Sequence, residues 1–154
     1  MNIKKMDSLD KKTAEKINHK AYMWLEGKVK KDKSFIEIYK AAHTRPSEPW
    51  FVRLDYSDIV SVLKMGKRYF TKNVVFEGKD RASIAAKSIP KIYNLKKAKG
   101  FVLSLEGHNL SIRDVQEIAD SAFKSMGKNS RFMWGCAESK KKNILYISGV
   151  SVFR

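Results

Sequence analysis

A single cysteine, Cys136, excludes an internal disulfide and agrees with a reducing, cytoplasmic setting. Histidine is nearly as scarce. His19, His43 and His108 are scattered with no partner at metal-ligand spacing, so no metal site is expected. None of the eight glycines is adjacent to another, and no G-x-x-x-x-G-K string occurs. Phosphate cradles cluster backbone N–H groups on glycine-rich loops, so no nucleotide cofactor is expected on these residues. No apolar run reaches the ~18–20 residues of a membrane span. The stretch from Met6 to Lys12 is polar where a signal peptide carries its apolar segment. No Ser/His/Asp or Cys/His set stands out, so the chain is not expected to be an enzyme by itself.

Acid is the other deficit. Sixteen Asp and Glu face 32 Lys and Arg, a net charge of +16 that favours an anionic partner or a heavily solvated surface. The hydrophobic share of 43% is ordinary for a globular protein. A chain of 154 residues buries roughly 70% of its unfolded surface, enough for one core without staples. One domain with an N-terminal extension is expected, divided at 1–33 and 34–154.

The extension is polar and basic, with Ala14, Ile17, Ala21, Trp24, Leu25 and Val29 on one helical face. That face could meet an anionic membrane surface, but it is narrow, which favours packing on the domain. A second helical stretch, Ser34 to His43, stops before Pro46. Tyr56 to Lys64 reads as a short helix and Arg68 to Glu77 as a strand or hairpin arm. Asp80 to Tyr93 is an amphipathic helix in which Pro90 predicts a kink or an early end. The run Gly100 to Leu105 is a buried strand. Ser111, with Asp114 three residues on, starts the next helix. Arg131 to Ala137 and Asn143 to Phe153 are the last two strands. The order β, α, β, α, β, β predicts an α/β fold, an α+β sandwich of a four-stranded sheet packed by two helices.

Several strings in this order resemble the C-terminal domain of the FtsZ/tubulin superfamily. Thr44-Arg45-Pro46 followed by Leu54-Asp55-Tyr56-Ser57-Asp58-Ile59 is similar to the end of the family's central helix and its synergy loop. Gly78-Lys79-Asp80-Arg81-Ala82 looks like its Gly-Glu-Asp-Arg-Ala helix start. Ala98-Lys99-Gly100, Glu106 to Ser111, and Phe132-Met133-Trp134-Gly135 follow in the family's order and spacing. The resemblance implies that 34–46 is the end of the central helix and 47–58 a synergy-type loop. It also implies that the GTP-binding half is missing. Ending just after its last predicted strand, the chain is expected to lack the flexible tail by which FtsZ meets membrane anchors.

By the same resemblance, Phe51, Arg53, Asp55, Tyr56 and Asp58 form a face that meets the nucleotide of a neighbouring full-length GTPase. Asp55 and Asp58 could orient water on that partner's GTP in trans. The simpler reading is that both flank a helix start, where capping and the helix dipole favour acids. Two departures bear on this: Arg53 stands where the family has asparagine, and Ser47 to Trp50 lengthens the loop. The expected function is therefore a non-enzymatic partial protein that binds and caps a filament-forming GTPase.

A nucleic-acid-binding module is the alternative. Lys87, Lys91, Lys96, Lys97 and Lys99 fall within an acid-free stretch with Tyr93 interleaved, and Lys140, Lys141 and Lys142 form a second group. Both groups read as a solvated face, as a nucleic-acid or lipid surface, or as a seat for an acidic protein. Cys136, near Trp134, reads as a small core residue.

Overall fold

The computed structural model describes residues 19–28, 30–31, 50–52, 54 and 56–154. A helix over residues 19–28 and 30–31 (α1) comes first. Then follow β1 (Trp50–Val52), α2 (Tyr56–Leu63), β2 (Arg68–Glu77), α3 (Arg81–Ile92), β3 (Gly100–Gly107), α4 (Ile112–Ser125), β4 (Arg131–Glu138) and β5 (Ile144–Phe153). The strand order is β1-β4-β3-β5-β2. The four long strands are those expected from sequence. The three-residue β1 was read as loop, and it extends the sheet by pairing antiparallel to β4 (Trp50 with Ala137, Val52 with Cys136). The expected helix Ser34 to His43 lies outside the described residues.

β3 and β4 are parallel, and β5 is antiparallel to both β3 and β2. β2, β3 and β4 therefore all run the same way, with α3 and α4 returning the chain between them. One end of the sheet collects the starts of these three strands and the ends of both helices. The opposite end collects the strand ends and the helix starts.

Both faces are covered, which is why β3 sits buried along nearly its whole length and reads as an apolar run broken only by Ser104 before Glu106. On one face Ala82, Ala85, Ala86 and Ile89 of α3 and Val115, Ile118 and Ala122 of α4 pack over Phe101, Leu103 and Leu105. The three- and four-residue steps between them are the helical periodicity visible in the sequence. On the other face Ala21 and Leu25 of α1 join Ile59, Val62 and Leu63 of α2 over Val102, Val150 and Val152. The basic extension thus supplies part of a core.

Pro90 does not end α3 where it stands; the helix runs on to Ile92, two residues further. Proline removes the N–H that would bond to Ala86 O, and Ser121 Oγ of α4 donates to that carbonyl instead. At the start of α4, Ser111 and Asp114 form a reciprocal capping box, the Ser111 hydroxyl accepting from Asp114 N at 3.0 Å. In a chain poor in glycine, the left-handed turn positions fall to Asn94, Asn109, Asn129 and Asn143.

Candidate functional site

The segment expected to meet a partner begins on the sheet edge. Phe51 lies in β1, beside β4, and Arg53 and Asp55 lie outside the described residues. Between them Leu54 is buried in the cluster under α1 and α2, which anchors the segment to the sheet. Tyr56 opens α2, half-buried, with its ring edge-on to Tyr22 of α1 at 5.1 Å between centroids. Asp58 stands in the first turn of α2, half-exposed, with Ser61 Oγ donating to its carbonyl at 2.7 Å. A carboxylate in a first helical turn favours the helix in any protein. The same position leaves this side chain within reach of solvent and of a partner.

α1 is the neighbour that sequence reasoning did not give this segment. Its Trp24 ring lies between the ammonium groups of Lys28 (5.3 Å) and Lys64 (5.5 Å), tying α1 to the end of α2. An aromatic flanked by lysines was visible in the sequence; that Lys64 is one of the pair follows only from the fold.

The two lysine groups are separated. Lys87 and Lys91 lie on α3, and Lys96, Lys97 and Lys99 on the turn leading into β3. Lys140, Lys141 and Lys142 lie in the turn after β4, at the far end of the sheet. A strand of eight residues at ~3.3 Å each puts about 25 Å between them, so they are two surfaces. Tyr93, read as interleaved among the lysines, is fully buried and cannot stack on a base. Its hydroxyl donates to Lys72 O at 2.7 Å, and burial raises its pKa well above the usual phenol value.

At the same far end, Arg81 of the Gly78 to Ala82 string joins two loops. It donates to His108 O at 2.6 Å and to Gly78 O at 3.3 Å. His108 Nδ1 in turn donates to Ser139 O at 2.9 Å and lies 3.3 Å from Glu138 Oε1. Both side chains are engaged in tying the α3 start to the turns after β3 and β4.

Cys136 is buried in β4, and burial together with the Glu138 charge pushes its thiol pKa up from 9.0 to about 11. The folded thiol stays protonated where the unfolded chain begins to ionise. Its contribution is therefore complete below pH ~9 and is lost as the pH rises through about 11. At ~1.4 kcal/mol per unit, the wild type loses about 2–3 kcal/mol more than Cys136→Ala between pH 8 and pH 11. Urea unfolding of both proteins at the two pH values measures this; equal losses contradict it.

Neither a protein-family model nor a curated protein matches the sequence. Solved structures do match in fold. FtsZ of M. jannaschii, an empty dimer, aligns with TM-score 0.58 and 16% identity over 67% of this chain and 32% of its own. TubZ of Bacillus thuringiensis serovar israelensis, in GDP-form protofilaments, gives 0.56 and 11% over 78% and 34%. CetZ2 of Haloferax volcanii, a GTPγS-bound protofilament, gives 0.50 and 12% over 65% and 33%. The chain has the fold of one part of these FtsZ/tubulin-like proteins and spans about a third of their length.

Proposed function

We propose that this chain binds a full-length FtsZ/tubulin-type GTPase in the cytoplasm and caps its filaments, as a regulator of cell division or of the cytoskeleton. The observation that carries the reading is the match to one third of FtsZ, TubZ and CetZ2, two of which were solved as protofilaments. The docking face is the run from Phe51 to Asp58, laid against the exposed nucleotide of a terminal subunit. These 154 residues contain no glycine-rich phosphate loop, so a docked unit presents no nucleotide of its own to the next subunit, and growth stops there. Its own role is non-enzymatic and needs no cofactor; Asp55 and Asp58 act, if at all, on the partner's GTP. Arg53 suits a partner phosphate through its planar fork. The net charge of +16 speeds approach to an acidic partner and makes binding weaken with salt. Co-sedimentation with the host's polymerised full-length FtsZ-type GTPase tests the reading. Recovery of the chain in the pellet, falling as salt rises, is expected; no binding and no change in polymer mass would sink it.

A further inference from the structure

We propose that the end of the sheet where β2, β3 and β4 begin is a binding surface for the sugar–phosphate backbone of single-stranded nucleic acid. β2 and β4 start on an arginine and finish on a glutamate, and β3 is entered from Lys99 and has Glu106 one residue before its end. Arg68, Lys99 and Arg131 stand at one end, and Glu77, Glu106 and Glu138 at the other. Strand direction therefore sorts the charge along the molecule. The basic end also receives Lys96 and Lys97 from the turn after α3, Lys128 from the turn after α4, and Arg154 beyond β5.

Some of this charge has a structural explanation. Lys91 and Lys124 occupy the last turns of α3 and α4, where cations complement the helix dipole. The others have no such role, apart from Arg68 Nε, which donates to Arg154 O at 2.7 Å. Lys96, Lys97, Lys128 and Arg131 are exposed and in no ion pair with a described residue. On α4 the acids Glu117 and Asp120 lie more than a turn back from its end, and on the other face of the sheet α1 carries Glu26, paired with Lys30, and α2 carries Asp58 in its first turn. Holding so many like charges together costs stability, and an anionic ligand relieves that repulsion.

The shape favours one strand of nucleic acid over a membrane. Between the ends of α3 and α4 runs a groove of about 590 Å³ lined by Pro90, Lys91, Asn94, Lys96 and Ser125. A flat bilayer cannot enter such a groove, whereas a single backbone can, with Asn94 as a neutral donor to phosphate oxygens; the Ser125 hydroxyl already donates to Ser121 O at 2.7 Å. No aromatic ring lines the groove: Phe123, 64% exposed on the last turn of α4, stands two residues from Ser125 and so on another side of that helix. Tyr93 is buried. Recognition here rests on phosphate, with little reading of sequence.

Fluorescence anisotropy of a labelled 20-nucleotide polyuridine, titrated at several salt concentrations, tests the proposal. The triple variant Lys96→Gln/Lys97→Gln/Lys128→Gln is compared with Lys140→Gln/Lys141→Gln/Lys142→Gln, which removes the same charge from the opposite end. Each phosphate contact contributes ~0.7 to the slope of log affinity against log salt. The first variant is therefore expected to reduce the slope by about 2 and the low-salt affinity at least ~tenfold. The second is expected to change affinity less than about twofold. Equal weakening by both variants reduces the binding to net charge and overturns the proposal. So does binding to phosphatidylserine vesicles without binding to polyuridine, or tighter binding to a 20-base-pair duplex than to the single strand. All the substituted side chains are exposed, and matching circular dichroism spectra establish that the variants are folded.

Discussion

Tyr93→Ala lowers the unfolding free energy by about 3–5 kcal/mol, a large share of the ~5–15 kcal/mol that holds a domain together. Tyr93 is among the largest side chains with no solvent exposure. Its ring packs on Phe101 at 4.9 Å between centroids and meets Phe70 edge-on at 6.3 Å. It also crosses the sheet. A Cβ at Gly149 of β5 would stand 2.7 Å from Tyr93 Cζ, so the ring lies directly on that strand, and its hydroxyl reaches Lys72 O of β2 beyond it. The residue clamps β5 and β2 to the α3 turn from above. Two smaller variants separate the parts of the effect. Tyr93→Phe keeps the ring and leaves the Lys72 carbonyl without its donor, costing about 1–2 kcal/mol. Gly149→Ala keeps the tyrosine and displaces its ring, costing about 1–3 kcal/mol. Urea unfolding followed by circular dichroism ranks the three. A loss below ~1 kcal/mol for Tyr93→Ala contradicts the clamp.

Leu25→Ala has the second large effect, about 2–5 kcal/mol, because Leu25 is fully buried in the cluster that α1 shares with α2 and the sheet. Met23, on the same helix, is 56% exposed, and Met23→Ala should stay within about 0.5 kcal/mol of the wild type. The contrast measures whether α1 belongs to the cooperative unit. If both substitutions are neutral, α1 unfolds independently and the second core face needs another cover.

The elements that could be read from sequence are those set by local chemistry. The run Gly100 to Leu105 is apolar because both faces of β3 are covered. Ser111 and Asp114 mark a helix start whatever lies around them, and the alanines and isoleucines of α3 and α4 keep helical spacing. Features that depend on distant partners were not legible. β1 exists only because β4 presents an edge to Trp50–Val52. Pro90 stays inside α3 because Ser121, thirty-one positions later, supplies the donor that proline withholds from Ala86. The five lysines around Tyr93 and the three after β4 looked like one surface or two until strand direction put them at opposite ends. Three strands with Arg or Lys at or just before their first residue and Glu at or next to their last were the signal for that, readable once their common direction is known. For the docking segment, Tyr56 was expected on the partner face, and the structure sets its ring against Tyr22 of α1 and buries Leu54 beside it in the same cluster. Their contact with α1 is tertiary and left no local trace.

Polymer light scattering and GTP turnover of the host's full-length FtsZ-type GTPase test the central claim most directly, with added wild-type chain or its Asp55→Ala/Asp58→Ala variant. A turnover gain confined to the wild type would identify these carboxylates as acting on the partner's GTP; no gain leaves capping alone. Capping predicts that scattering falls as either protein is added, in proportion to the number of filament ends it occupies. Scattering and turnover that stay unchanged with both proteins contradict it.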